Sequence, residues 1–270
     1  MSNIINVDNL SLELDGKSIF SNISFSVEEG KTLGILCPNN GGKTTLIKTL
    51  SGIMYSSSGK VDVNNVILSK KNYRDYIIQI STILDDIDNQ FLCNKVSEEL
   101  RYPLENLGYG DLDIKYTIDE ISNLFDINIL LGKNINRLTN LEKVQVLIVA
   151  SIIHKPKVLF LDDILRFFNN SEKDKILKIF NIINSQLNIS IIYTTSDLND
   201  LINNDNILVI NDGQIVMTGT FADIIQKDNE LTKMGFDIPI MIDLSRKLEF
   251  YKLVDKIYLN PDKLVDDLWE

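Results

Sequence analysis

The nine residues Cys37-Pro38-Asn39-Asn40-Gly41-Gly42-Lys43-Thr44-Thr45 constrain this chain more than any others. They follow the phosphate-binding pattern G-x-x-x-x-G-K-[ST] at every fixed position except the first, where Cys37 replaces glycine. The flanks fit the same pattern. Thr32-Leu33-Gly34-Ile35-Leu36 predicts a short buried strand, and Leu46-Ile47-Lys48-Thr49-Leu50 continues as an apolar-faced helix. A strand, a glycine-containing loop and a helix start together aim backbone N–H groups and one lysine at an anion, so the segment predicts a site for nucleotide phosphates.

With 270 residues, the chain is long enough for one large α/β domain or a domain with an appendage. Its 44% hydrophobic and 24% charged residues are those of a soluble globular protein. The longest nearly apolar run, Val146 to Ile153, is broken by Ser151 and falls far short of the ~20 residues of a membrane-spanning helix. Met1-Ser2-Asn3-Ile4-Ile5-Asn6 has neither a basic start nor a long apolar core, so no signal peptide is expected. Cys37 and Cys93 form no disulfide framework, which points to a reducing cytoplasm. A net charge of −11 argues against nucleic acid or anionic lipid as the main partner. The single histidine, His154, excludes a histidine-rich metal site and leaves a Ser-His-Asp hydrolase one candidate base.

Along the chain, Ile5 to Gly30 alternates apolar and polar residues with turns at Asp15-Gly16 and Glu29-Gly30, predicting several short antiparallel strands. Val61-Asp62-Val63 and Val66-Ile67-Leu68 flank Asn64-Asn65 as a hairpin, and Ile77 to Leu84 reads as a strand. From Gln90 to about Lys155 the apolar spacing becomes helical. A second α/β segment follows: the strand Val158–Leu161 ending in Asp162-Asp163, a helix over Glu172 to Leu187, and strands at Ile189–Tyr193 and Ile207–Ile210. This alternation implies a sheet covered by helices on both faces, with a helical subdomain inserted between its halves. Beyond Gly219, Phe221 to Ile225 and Ile242 to Leu253 are amphipathic helical segments.

A phosphate loop, a helical insertion and an apolar strand ending in two acids resemble an ABC-type ATPase subunit, over essentially the whole chain. Asp88-Asn89-Gln90-Phe91 and Leu104-Glu105-Asn106-Leu107-Gly108 look like the energy-coupling-factor branch, which drives vitamin and transition-metal importers. The stretch from Gly219-Thr220-Phe221 through Met234-Gly235-Phe236-Asp237-Ile238-Pro239 to Leu244 is similar to that branch's dimerisation extension. The resemblance implies an α/β P-loop NTPase domain of ABC type over residues 1–218. Its parts are a mixed sheet, an antiparallel β subdomain and a helical subdomain at about 90–155, and residues 219–270 form a small C-terminal extension. It also implies ATP and Mg²⁺ as cofactors, a second ABC ATPase subunit and a membrane-embedded scaffold as partners, and a place on the cytoplasmic face of the membrane.

By the same resemblance, residues Cys37 to Thr45 (Cys37, Pro38, Asn39, Asn40, Gly41, Gly42, Lys43, Thr44, Thr45) cradle the nucleotide, Lys43 contacts the β- and γ-phosphates, and Thr44 and Asp162 serve Mg²⁺. Asn40 replaces a family glycine and is among the residues that best tolerate left-handed backbone. Cys37 is read as a small buried residue that the loop accommodates; the alternative is a thiol that weakens binding or whose modification blocks the site. Asp163 takes the catalytic glutamate's position one methylene short, and small misplacements of a general base cost ~100-fold. Ser196 stands at the switch histidine and Asp85 at the Q-loop glutamine. Leu14 stands where an aromatic side chain stacks on adenine. His154 is expected to sit favourably at a helix carboxy terminus.

The family signature LSGGQ corresponds to Leu138-Thr139-Asn140-Leu141-Glu142. Thr139 and Glu142 can still form a capping box, but Asn140 and Leu141 replace the glycines that approach a partner's phosphate, and Glu142 adds negative charge there. Asn169 stands at the D-loop aspartate, beside Phe167-Phe168, an aromatic pair read as interface or core packing. The phosphate cradle and Mg²⁺ residues are thus largely kept, whereas residues of hydrolysis and of the partner's site are changed. The expectation is a catalytically weakened ATP-binding subunit of an importer. The alternatives are a nonhydrolytic docking protein with the same fold, or an ordinary ATPase that tolerates the changes.

Overall fold

The computed structural model describes residues 2–259 and 261–269. Strands β1 (Asn3–Leu14) and β2 (Lys17–Glu28) form a long antiparallel hairpin. The sequence predicted several short strands here. Instead, Asn9 and Asn22 take left-handed backbone (φ 48 and 53) within continuous strands, and the pairing shifts register between Val7 and Leu10 and between Leu10 and Leu12. These asparagines therefore bulge the strands without ending them.

Strand β3 (Thr32–Leu36) is the buried strand expected before the phosphate loop, and α1 (Lys43–Leu50) the helix after it. β4 (Ser58–Val63) and β5 (Val66–Ile67) are the expected hairpin, with Asn64 and Asn65 both left-handed at its turn. This hairpin completes a four-stranded antiparallel sheet in the order β2-β1-β4-β5. The segment read as one strand from Ile77 is instead a short helix, α2 (Tyr73–Ile77), followed by β6 (Ile80–Ile83). Tyr76, fully buried and donating its hydroxyl to the Leu50 carbonyl at 2.6 Å, anchors that helix turn.

The helical block consists of α3 (Val96–Asn106), α4 (Asp111–Leu124) and α5 (Asn140–Ile152). β7 (Val158–Asp162), α6 (Asn170–Leu187), β8 (Ser190–Thr195) and β9 (Asn206–Asn211) follow as expected, and β10 (Gln214–Gly219) is an additional strand paired antiparallel to β9. Together they make a six-stranded mixed sheet, β10-β9-β3-β8-β7-β6, in which β3 lies parallel to both β8 and β9.

Alternation along these strands feeds two cores. Leu36, Leu159, Leu161, Ile191 and Tyr193 join the core with α5 and α6, while Ile35, Phe160 and Ile192 join the one with α1 and the antiparallel sheet. The tail comprises α7 (Phe221–Ile225), α8 (Asp228–Lys233), α9 (Ile240–Phe250) and α10 (Pro261–Trp269). The helix expected over Ile242–Leu253 thus starts two residues earlier and stops at Phe250, before Leu253. Among the described residues no helix is long and apolar enough to cross a membrane.

Candidate functional site

The loop between β3 and α1 is fixed from both sides. The Cys37 N–H donates to the Thr195 carbonyl at 3.0 Å, and the Gly41 N–H to the Pro38 carbonyl at 3.0 Å. Asn40 takes left-handed backbone at φ 62, as its residue type allows. Gly42, the residue capping α1, has φ 91, and a Cβ there would stand 3.1 Å from Ile19 Cγ2. A Cβ on Gly41 would lie 2.7 Å from Cys37 Sγ and 2.9 Å from the Pro38 carbonyl oxygen, so the loop's tight curl requires glycine there.

Cys37 is buried, and its thiol donates to the Gly41 carbonyl at 3.2 Å. Burial pushes its pKa up to about 11, against the opposing pull of Lys43. This is the packed side chain of the first reading rather than an exposed reactive thiol.

Lys43 points inward. Its ammonium donates to Asn39 Oδ1 at 3.2 Å and to the Cys37 carbonyl at 3.4 Å, and forms an ion pair with Asp163 Oδ2 at 3.1 Å. Asp163 follows β7 with left-handed backbone (φ 48), and its N–H donates to Thr194 Oγ1 at 3.1 Å. The same Thr194 hydroxyl donates to Asp162 Oδ1 at 2.9 Å, so a single β8 side chain sets both acids. Asp162 is fully buried, and its other oxygen, Oδ2, has no hydrogen-bond partner among the described residues. Burial holds the Asp162 carboxyl above the usual range; hydroxyls of Thr44 and Thr194 oppose this, and the charges of Asp85 and Asp163 add to it. A buried oxygen without a partner, on a carboxyl that the Thr44 hydroxyl at the start of α1 also stabilises, fits a hydrated divalent cation, which would satisfy an otherwise costly bare acceptor.

These residues open on a cavity of about 880 Å³. The loop from Pro38 to Thr45 forms its base, with Asp85 and Asp163 beside it. Ser18, Ile19, Arg166, Asp212 and Gly213 complete the lining, and none of these stands out in the sequence. Ile19 and Gly213 arrive together because the Ser21 N–H donates to the Gly213 carbonyl at 2.9 Å, joining β2 to the turn between β9 and β10. Leu14, read as standing in place of an adenine-stacking aromatic, is outside the lining; it pairs with Lys17 at the hairpin end, two residues from Ile19, which does line the cavity. Ser196 follows β8 and is not among the lining residues either.

A neighbouring cavity of about 430 Å³ lies between Asp85–Asp88, the start of α5 at Asn140, Lys143 and Val144, and Phe167-Phe168. Lys143 reaches Asp88 at 2.6 Å across it. The Asp85–Gln90 loop is held by Gln90, whose side chain accepts from the Leu84 N–H and donates to the Leu84 and Asp86 carbonyls, each at 2.9 Å. Thr139 and Glu142 form the expected capping box on α5. Asn169 caps α6 by a second capping box with Glu172. His154 lies just beyond α5, where burial pushes its pKa down.

The profile of the ABC transporter family matches residues 20–166. The chain is 26% identical over 274 residues, spanning all of itself and 98% of the relative, to the energy-coupling factor transporter ATP-binding protein EcfA1 of Streptococcus agalactiae. It is 28% identical over 272 residues to the protein of that name from Streptococcus mutans, covering 98% of this chain and 96% of the relative. The fold is similar to that of cbiO1 from Clostridium perfringens, described as part of the ABC transporter complex cbiONQ. The TM-score is 0.80 at 23% identity, covering 93% of this chain and 100% of the other.

Proposed function

This chain belongs to the ABC transporter family, and from that premise we propose that it is the ATP-binding subunit of an energy-coupling-factor importer, with hydrolysis at its own site weakened. The names of its full-length relatives support the branch. The observation that carries the reading is Asp162. It is buried at the end of β7, is stabilised by the Thr44 hydroxyl and keeps one oxygen bare beside a phosphate loop.

In this reading Lys43 and the loop N–H groups from Cys37 to Thr45 hold the phosphates, while Thr44 and Asp162 hold Mg²⁺. When bound, Mg²⁺ supplies charge neutralisation to the phosphate chain. Asp163 is a general base set one methylene back, and it gives its charge to Lys43 rather than to a water. Asp85 adds a negative charge at the cavity wall, which repels the phosphate chain. Ser196 lacks an imidazole and stands off the lining, so the switch function is absent in this reading.

The subunit pairs with a second, catalytically complete ABC ATPase through residues 219–270, and with a membrane scaffold near Asp85–Gln90, on the cytoplasmic face. The cargo is a vitamin or a metal ion, selected elsewhere in the complex. The Lys43–Asp163 pair also favours a second reading, a nonhydrolytic docking protein, because it gives the lysine a partner without nucleotide.

Calorimetry with Mg-ATP separates the two. Binding that is lost in Lys43→Ala supports the importer subunit; no heat at millimolar Mg-ATP overturns it in favour of the docking protein.

A further inference from the structure

Two cations line the 880 Å³ cavity, Lys43 and Arg166, against three carboxylates, Asp85, Asp163 and Asp212. Lys43 is committed to Asp163 at 3.1 Å. Among the described residues Arg166 forms no ion pair and no side-chain hydrogen bond. Its guanidinium is exposed and lies 5.6 Å from the centre of the Phe167 ring, itself 65% exposed. Its backbone is placed by a hydrogen bond of 3.2 Å from its N–H to the Asp163 carbonyl, which ties it to the acid that occupies Lys43.

We propose that Arg166 is a second phosphate-binding residue of this site, a cation that contacts the polyphosphate of the bound nucleotide from the cavity mouth. The inference rests on the nucleotide-binding reading above. A polyphosphate entering this cavity meets a surplus of negative lining and a lysine that already has a carboxylate. Among the described residues Arg166 is the one lining cation with free donors, and a guanidinium offers five of them in a planar fork suited to phosphate oxygens. The Phe167 ring, its centre 5.6 Å from the guanidinium, limits the side chain's freedom without taking its donors, so less order is lost on binding. The sequence did not reveal this because Arg166 lies between the two acids and the aromatic pair and matches no phosphate motif.

The test is equilibrium binding of Mg-ATP, and of magnesium tripolyphosphate as the phosphate chain alone, to the full chain and to Arg166→Ala, Arg166→Lys and Lys43→Ala. Arg166 is exposed, so Arg166→Ala should melt at the wild-type temperature. It should weaken both ligands by roughly tenfold, the scale of one charge-assisted contact discounted for exposure, and flatten the salt dependence. Arg166→Lys, which keeps the charge without the planar fork, should recover part of the affinity. If the wild type binds and Lys43→Ala does not, but Arg166→Ala stays within twofold of wild type, Arg166 is not a phosphate ligand and the site itself stands. If Arg166→Lys is as weak as Arg166→Ala, the charge is not what acts, and the inference also falls. If the wild-type chain binds neither ligand, the nucleotide site falls and takes this inference with it.

Discussion

Lys43 and Asp163 hold each other at the base of the cavity, ammonium to carboxylate at 3.1 Å, with both side chains only 7% exposed. The lysine that should receive phosphate thus has a carboxylate partner already, supplied by the residue proposed as the weakened general base. Nucleotide must exchange one anion for another, and an aspartate that holds the lysine is not free to activate water. Asp163→Asn keeps the shape and removes the competing charge. We expect it to tighten Mg-ATP binding by roughly three- to tenfold, since a charge-assisted contact is released to the ligand. Lys43→Ala should instead abolish binding and lower the melting temperature, because it strands a buried carboxylate, a change that typically costs about 3–5 kcal/mol. Calorimetry and thermal melts of the two variants check both signs; weaker binding by Asp163→Asn would contradict the competition.

Cys37 should be inert where its position in the loop suggests reactivity. With its pKa pushed up to about 11 by burial, the thiolate is a minor species at pH 8, and the side chain is 1% exposed. Maleimide should therefore label native Cys37 slowly and the denatured chain fully, as read by mass spectrometry. The raised value also sets a sign for stability. The folded state keeps the thiol proton above pH 9 when the unfolded chain has lost it, so this contribution is present below about pH 9 and is lost as pH rises towards 11. Rapid labelling at pH 8, blocked by nucleotide, would instead mark an exposed active-site thiol.

Asn140 and Leu141 begin α5 behind the Thr139–Glu142 capping box. Returning both to glycine should raise the ATPase activity of the assembled complex, if this loop approaches the partner's nucleotide as family membership suggests. The same change should destabilise the isolated chain by up to about 1 kcal/mol per residue, through the lower helix propensity of glycine. Activity and melting temperature should thus move in opposite directions; unchanged activity would mean that the loop is not a damaged contact.

Much of the site was legible because its parts are contiguous in sequence. The loop from Cys37 to Thr45, the acids after Val158–Leu161 and the Thr139–Glu142 cap each depend on local geometry, and each appears where its pattern put it. What was missed depends on distant segments meeting. Ile19, Asp212 and Gly213 join the cavity only because β2 docks on the β9–β10 turn, and Gln90 organises the Asp85 loop through bonds to Leu84 and Asp86. Strand lengths were missed for another reason. Asparagine reaches left-handed backbone at low cost, so Asn9 and Asn22 bulge the long strands β1 and β2 without ending them.

In the proposed role this chain holds ATP without turning it over at the usual rate of its family. The most direct test is to bind Mg-ATP to the purified chain and quantify ADP formed with time. The account predicts that bound nucleotide is recovered as ATP, with ADP accumulating no faster than in Lys43→Ala. Steady ADP production at ordinary ABC rates, abolished by Lys43→Ala, would contradict it.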